Sequence, residues 1–419
     1  MEYKKRHIHD KINAHLNKKE YTIITGARQV GKTTLLRQFY KDLKMADKRV
    51  FYLSLENIDI LNALNEHPEK IFQFTERPIN ALENEVKPDE IIYLLLDEIQ
   101  YANDPSGFLK YLFDTYLSNL KIIATGSSAF YIDRKFKDSL AGRKKIFHLH
   151  PLNFREHLEF CRRNDLSDEV QTLRERKDYI SLKKQEIKEY FNEYLVYGGY
   201  PAVVLENDAD LKKEILLELR DSYIKRDILE SGIRNEMDFY NLMKILAGQT
   251  GNLVNKNELS KTLRIHLSTI ENYLSTLEKC FHISLVKPFY KNLRKEIVKM
   301  PKVFFNDLGL RNALLNRFSK FEEREDTGAL LENYVYQRLI QIYPQEDIKF
   351  WRTADGNEVD FVVSSDYKNG KAFEVKSSSI DFKPAKYKKF SENYPNINLS
   401  LISYNRRNNN INNISVIGL

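Results

Sequence analysis

Nine residues near the amino end, "GARQVGKTT" from Gly26 to Thr34, constrain the fold more than any other stretch of the chain. They match the spacing G-x-x-x-x-G-K-[ST] at Gly26, Gly31, Lys32 and Thr33. Glycine lets the backbone wrap tightly, so that successive amide groups point at the oxygens of an anion. The Lys32 ammonium adds a point charge near β and γ phosphates, and the Thr33 hydroxyl can ligate magnesium. The context agrees with the spacing. A short β-branched strand, "YTIIT", precedes the loop, and a helical stretch, "TTLLRQFYKDL", follows it. The positive end of that helix dipole then faces the same oxygens. Gly26, Ala27, Arg28, Gln29, Val30, Gly31, Lys32, Thr33 and Thr34 are therefore the expected phosphate-binding segment, with ATP and Mg2+ as its ligands.

A second element supports the first. "IIYLLLDEIQ" is an apolar strand that ends in Asp97 and Glu98. An aspartate at the carboxyl edge of such a strand can hold magnesium directly or through water, and the next glutamate can polarise the attacking water. A third strand, "KIIATGSS", ends in small polar residues, of which Thr125 or Ser127 could sense the γ phosphate or simply cap the strand. With "RVFYLSL" and "KIFHLH" these strands alternate with helical stretches from residue 21 to about 150, the pattern of a parallel sheet covered on both faces. "RVFYLSLEN" lies between the loop strand and the acidic strand. An extra strand inserted there is an arrangement associated, by fold analogy, with ATPases that activate water through a glutamate.

At 419 residues the chain is too long for one core, so two to four domains are expected. From about 155 to 245 the pattern is helical, with Leu211, Ile215 and Leu219 at four-residue spacing and "YGGYP" as a break. From about 250 to 325, "NKNELSKTLRIHLSTIENYLSTLEKC" reads as two short helices joined by a turn. Leu259, Leu263, Ile265, Ile270, Leu274 and Leu277 form its buried stripe. "HISLVKPF", a basic connector and "KVFFNDLGL" follow, which gives the winged-helix order. If its second helix enters a major groove of DNA, Ser268, Thr269, Asn272 and Ser275 face the bases. Lys287, Lys291, Arg294, Lys295, Lys299 and Lys302 would then lie near phosphates. Glu271 on the same helix would repel them, and an internal packing module is the alternative.

The last segment contains a helix, "TGALLENYVYQRLIQIY", and strands at "NEVDFVV", "KAFEVKS", "LSLISY" and "ISVIGL". In an extended strand Glu358 and Asp360 share one face, as do Glu374 and Lys376; Val359 with Phe361, and Phe373 with Val375, take the other. Each strand then has one apolar face and one face for chemistry or solvent. An Asn-Gly hairpin between them would bring Asp360 near Glu374. Two carboxylates that close invite a cation, and magnesium there could present water to a phosphodiester, with Lys376 stabilising charge. The preceding helix adds Glu332, an acid beside the apolar stripe of Leu331, Val335 and Leu339.

The strings "GARQVGKTTLL", "YLLLDEIQ", "TGSSAF", "LAGRKKIFHLHPLNFREHL", "EYLVYGGYPAVV", "YIKRDI" and "KVFFNDLGLRNALL" resemble the prokaryotic AAA-type ATPases with an uncharacterised C-terminal domain. The resemblance runs over nearly the whole chain. It implies an α/β P-loop ATPase domain at 1–155, a helical lid at 156–248, a winged helix at 249–325 and a PD-(D/E)xK nuclease-like domain at 326–419, active or retired, in which Glu332 would be an extra metal-side acid beside Asp360 and Glu374. It also makes Arg143 or Arg226 a candidate to complete an ATP site, with surface ion pairing the alternative for each. Composition narrows the rest. Only two cysteines, Cys161 and Cys280, argue against a disulfide framework or a cysteine zinc site and fit a reducing cytoplasm. No apolar stretch follows the basic amino end, and "IIYLLL" falls far short of a bilayer span, so neither a signal peptide nor a membrane partner is expected. The net charge of +7 is a mild excess that leans toward anionic partners. DNA is the expected macromolecular partner. A regulatory ATPase that binds protein partners, or its own copies, is the rival.

Overall fold

Strand β1, Tyr21–Thr25, is buried along its whole length and sits near the middle of a five-stranded parallel sheet. Its neighbours are β4 (Leu120–Gly126) and β5 (Lys144–His148), while β3 (Ile92–Asp97) and β2 (Arg49–Ser54) continue beyond β4 in the order β2-β3-β4-β1-β5. β3 and β4 are buried throughout, as strands covered on both faces must be. One expectation needs correction. "RVFYLSLEN" follows the loop helix in sequence but stands at the sheet's edge, and the strand between the loop strand and the acidic strand is β4. Sequence order does not set spatial order in a parallel sheet, because each crossover can land on either side.

The structure, a computed structural model, describes residues 3–78, 91–116, 119–126, 140–176, 179–290, 296, 299–378, 382–405, 410–411 and 414–418. It divides into two compact units, Met1–Pro151 with Lys279–Phe281, and Leu152–Glu278 with His282–Leu419. In the first unit the segment ahead of β1 is held in place by Lys121 on β4. Its ammonium donates to the carbonyls of His15 at 3.0 Å, Lys18 at 2.9 Å and Glu20 at 2.5 Å, and burial pushes its pKa down to about 7. No helix among the described residues is long and apolar enough to cross a membrane.

In the second unit the spacing of Leu211, Ile215 and Leu219 does not mark the buried line of the helix Ala209–Ser231. Leu211 is exposed, and the buried positions among the described side chains are Lys212, Leu216, Leu219, Asp227 and Ile228. Lys212 occupies a core-facing position because its ammonium pairs with Glu193 and lies over the Tyr197 ring. The "YGGYP" break meets "NDLGL" directly. Asp307 caps the helix Leu308–Leu315 by accepting from Leu310 N–H at 2.9 Å, and it also accepts from Gly199 N–H at 2.8 Å. Burial outweighs these bonds and raises the Asp307 pKa to about 6.

The helices Lys256–Leu263 and Leu267–Lys279 are joined through Arg264 in the left-handed region, with Leu259, Ile270, Leu274 and Leu277 buried. The hairpin of β6 (Ile283–Val286) and β7 (Lys302–Phe305) follows. Lys291, Arg294 and Lys295 lie outside the described residues. A six-stranded mixed sheet ends the chain, in the order β12-β13-β11-β10-β9-β8. Its strands are β8 (Ile348–Arg352), β9 (Glu358–Val363), β10 (Gly370–Ser378), β11 (Ile397–Asn405), β12 (Asn410–Ile411) and β13 (Ile414–Gly418).

Both faces of the β9–β10 hairpin are covered, contrary to the expectation of one open face. Phe361, Val363, Phe373 and Val375 join a core with Leu330, Leu331 and Val335 of the helix Thr327–Leu339. Val362 and Ala372 join another with Tyr387 and Phe390. The helix Lys388–Asn393 and the turn before it close the second face, which sequence alternation in the strands alone does not reveal.

Candidate functional site

The loop between β1 and the helix Lys32–Met45 is built on close approach. A Cβ at Gly26 would lie 2.1 Å from the Leu149 carbonyl oxygen, so only glycine fits there. Gly31 caps the helix at φ 98°. Lys32 is buried, and its ammonium donates to the carbonyls of Gly26 at 3.0 Å and Ala27 at 2.8 Å, closing the loop into a ring. Thr33 is half-buried and Thr34 exposed at the start of the helix. Arg6, which sequence reasoning passes over, braces the loop from behind. Its guanidinium donates to the carbonyls of Val30 and His150, both at 2.7 Å. Across a trans peptide the carbonyl and the next N–H point in opposite directions. Holding the Val30 carbonyl therefore turns the Gly31 N–H the other way.

Asp97 and Glu98 stand at the end of β3, two strands from β1. Thr125 on the intervening β4 links them: its hydroxyl donates to Asp97 Oδ1 and accepts from the Glu98 N–H at 3.0 Å. Tyr52 on β2 donates to Asp97 Oδ2 at 2.7 Å, and burial together with that carboxylate pushes the Tyr52 hydroxyl up to about 12. Glu98 itself takes a left-handed conformation at φ 57°, and its carboxylate accepts from Gln100. Asp97 is 3% exposed, accepts from two hydroxyls, and among the described residues forms no ion pair. A buried carboxylate of that kind suits a hard divalent cation. Tyr52 was not readable as its partner, because nothing local places β2 beside β3. Ser127 lies outside the described residues.

Both candidate arginines carry ion pairs. Arg143 Nε meets Asp114 Oδ1 at 2.7 Å, and Arg226 Nε meets Glu230 Oε1 at 3.5 Å. On the helix Leu267–Lys279, Ser268 and Asn272 are exposed and Thr269 and Ser275 half-buried. Glu271 is balanced by Lys256 at 2.8 Å. Lys287 and Lys299 are exposed, but Lys302 is not available to a phosphate. Its side chain is 3% exposed and its ammonium meets Glu332 at 2.8 Å and Glu358 at 2.6 Å.

That last observation bears on the expected metal set, Glu332, Asp360 and Glu374. The two strands do pair as an antiparallel hairpin, through a six-residue connection with Phe361 opposite Phe373, a register that places Asp360 beside Glu374. Asp360 Oδ2 accepts from Val375 N–H at 2.8 Å, and Lys376 Nζ meets Glu374 Oε1 at 2.5 Å. Burial, then repulsion from Asp360, raises the Glu374 pKa; burial also works against the Lys376 ammonium, yet Asp360 and Glu374 hold it above its usual range. Glu332, however, is committed to Lys302. Among the described residues no group of three or more His, Cys, Asp or Glu side chains is placed to hold a metal ion. The three-acid set of the nuclease-like reading, Glu332 with Asp360 and Glu374, is not assembled, because its helix acid is turned to Lys302.

Comparison with known proteins adds the following. An AAA domain family matches residues 18–158, and two families described as domains of unknown function (DUF8612 and DUF4143) match 188–320 and 327–419. An uncharacterised protein of Methanocaldococcus jannaschii is 29% identical over 377 residues, covering 86% of this chain and 76% of its own. An uncharacterised protein of Haemophilus influenzae is 27% identical, covering 81% and 78%. Among solved structures, the Aeropyrum pernix ORC1 protein in complex with DNA aligns at a TM-score of 0.30 and 10% identity, over 75% of this chain and 93% of that one. The loop, the parallel sheet with its acidic strand and the matched domain agree: the chain carries an AAA-type P-loop ATPase domain and, at its carboxyl end, a domain of unknown function.

Proposed function

We propose that the first unit binds ATP with Mg2+ and hydrolyses it. One observation carries this reading: a lysine-closed phosphate loop after β1 and, two strands away at the end of β3, an Asp-Glu pair held by Thr125 of the intervening β4. Gly26 to Thr34 cradle the phosphates with their amides. Lys32 exchanges its loop carbonyls for the β and γ oxygens. Thr33 and Asp97 are the residues that would hold Mg2+, whose charge offsets that of the phosphates when it is bound. Glu98 orients and polarises the attacking water, its backbone fixed by the Thr125 hydroxyl. Turnover should vanish in Lys32→Ala, and a variant with undiminished turnover removes the mechanism.

The macromolecular target is DNA in this reading. The exposed Ser268 and Asn272, with Lys287 and Lys299, offer a polar and basic surface beside a well-buried hydrophobic stripe. DNA should stimulate hydrolysis; a flat response across lengths and structures supports the rival, an ATPase that works on protein partners or its own copies. For the carboxylate hairpin, Asp360, Glu374 and Lys376 suggest metal-dependent cleavage, whereas the commitment of Glu332 to Lys302 supports a nuclease-like scaffold that does not cut. We adopt the scaffold. DNA cleavage with Mg2+ or Mn2+ that Asp360→Asn and Lys376→Ala both eliminate would reverse that choice.

A further inference from the structure

β7 is a four-residue strand, "KVFF", with every side chain buried. A lysine is a costly residue at its head, since an ammonium taken from water needs compensating charge and hydrogen bonds. Lys302 finds them on two other elements. Glu332 comes from the helix Thr327–Leu339 and lies at 2.8 Å, and Glu358 opens β9 and lies at 2.6 Å. The Phe350 ring of β8 lies 5.5 Å away. Glu358 is further met by Arg352 at 3.4 Å. Two residues along β9 is Asp360, whose carboxylate also acts on the Lys302 ammonium, and Glu374 stands opposite with Lys376 as its own cation. Four carboxylates thus stand near one end of the hairpin without three of them closing on one metal position, and lysines from within the chain answer them.

We infer that Lys302 is the resident cation of this cluster, supplying from β7 the positive charge that a metal would otherwise bring to Glu332. Its ammonium already offsets the carboxylate charge that would draw a divalent metal to Glu332, and its own positive charge opposes a second cation beside it. Lys302 therefore stands in for the metal, and it ties β7, the end of the preceding hairpin, to the carboxyl-terminal sheet. This inference rests on the scaffold reading adopted above and gives it a cause.

The test is to remove the ammonium and offer a metal in its place. The full chain, free of nucleotide, is followed by thermal unfolding with EDTA or with millimolar Mn2+, as wild type, Lys302→Ala and Lys302→Ala/Glu332→Gln. Wild type should gain nothing from Mn2+ at this cluster, so any response it shows should survive Asp360→Asn. Lys302→Ala should unfold earlier and regain about 3 °C or more with Mn2+, the size expected for an ion well above its dissociation constant. The double variant should lose that response, which separates it from any uptake at Asp97. Lys302→Gln keeps a hydrogen-bond donor and removes only the charge, so it gives the same reading if the alanine variant does not fold. A wild type that takes up Mn2+ in a manner abolished by Asp360→Asn overturns both the inference and the scaffold reading. An inert wild type with Lys302 variants that also ignore Mn2+ overturns the role of Lys302 alone.

Discussion

The end of the first sheet and the end of the last hairpin both gather acids and a lysine, yet they are finished in opposite ways. Around Asp97 the partners are hydroxyls, from Tyr52 and Thr125, and the nearby lysine rests on loop carbonyls. Around Glu332, Glu358 and Glu374 the partners are ammonium groups at 2.5 to 2.8 Å. Neutral partners hold a buried acid in position and leave its charge for something that arrives later. Charged partners consume it. Chemistry and architecture can therefore be told apart by what completes the charge, even where the residue types are the same.

The contrast predicts which measurement each substitution should move. The largest effect belongs to Lys32→Ala, which should take ATP turnover to background while leaving the melting temperature nearly unchanged. A large loss of stability there would mean that the lysine is a structural tie like Lys302. Glu98→Gln should lower turnover about 10³-fold, within the range for losing a general base, with ATP affinity retained by calorimetry. In the second unit the readout should be folding. The Asp307 carboxyl ionises near 3.8 in the unfolded chain and at about 6 when folded, so the unfolded state gives up its proton first. Stability from this group is complete below the lower value and is lost as pH rises through the upper one, on the order of 3 kcal/mol in all. Urea midpoints measured from pH 4 to 6 should show that slope, and Asp307→Asn should flatten it. Glu332→Ala should cost about 2 kcal/mol by half-stranding a buried ammonium, with turnover unmoved. A fall in turnover without a fall in stability would erase the distinction between the two regions.

The sequence carried the local parts well. Spacing alone placed Gly26, Gly31 and Lys32 on a strand-loop-helix, because that geometry is decided within a few residues. The nearness of Asp360 and Glu374 was legible only as a hairpin expectation: the six residues between Val363 and Gly370 leave the register open in sequence, and the structure sets it at Phe361 opposite Phe373. What spacing could not give was partnership between distant elements. Tyr52 reaches Asp97 only because β2 lies outside β3, and Lys302 reaches Glu332 across 30 residues and two elements. The periodicity of the Ala209–Ser231 helix misled in another way. Leu211 counts as apolar in any pattern, while Lys212, which is buried, does not. A long side chain with an apolar stem and a waiting carboxylate defeats binary patterning.

β7 has one more consequence. Its Phe304 enters the core shared with Phe191, Leu330 and Phe361, while Val303 and Phe305 enter the core of the helix pair with Leu259, Ile270 and Leu274. Four residues thus serve as a party wall between two rooms. A fragment cut just before Lys302 or just after Phe305 would leave one room open and wet, so expression of either piece alone should give insoluble material. Shuffled by recombination, these segments would have to travel together.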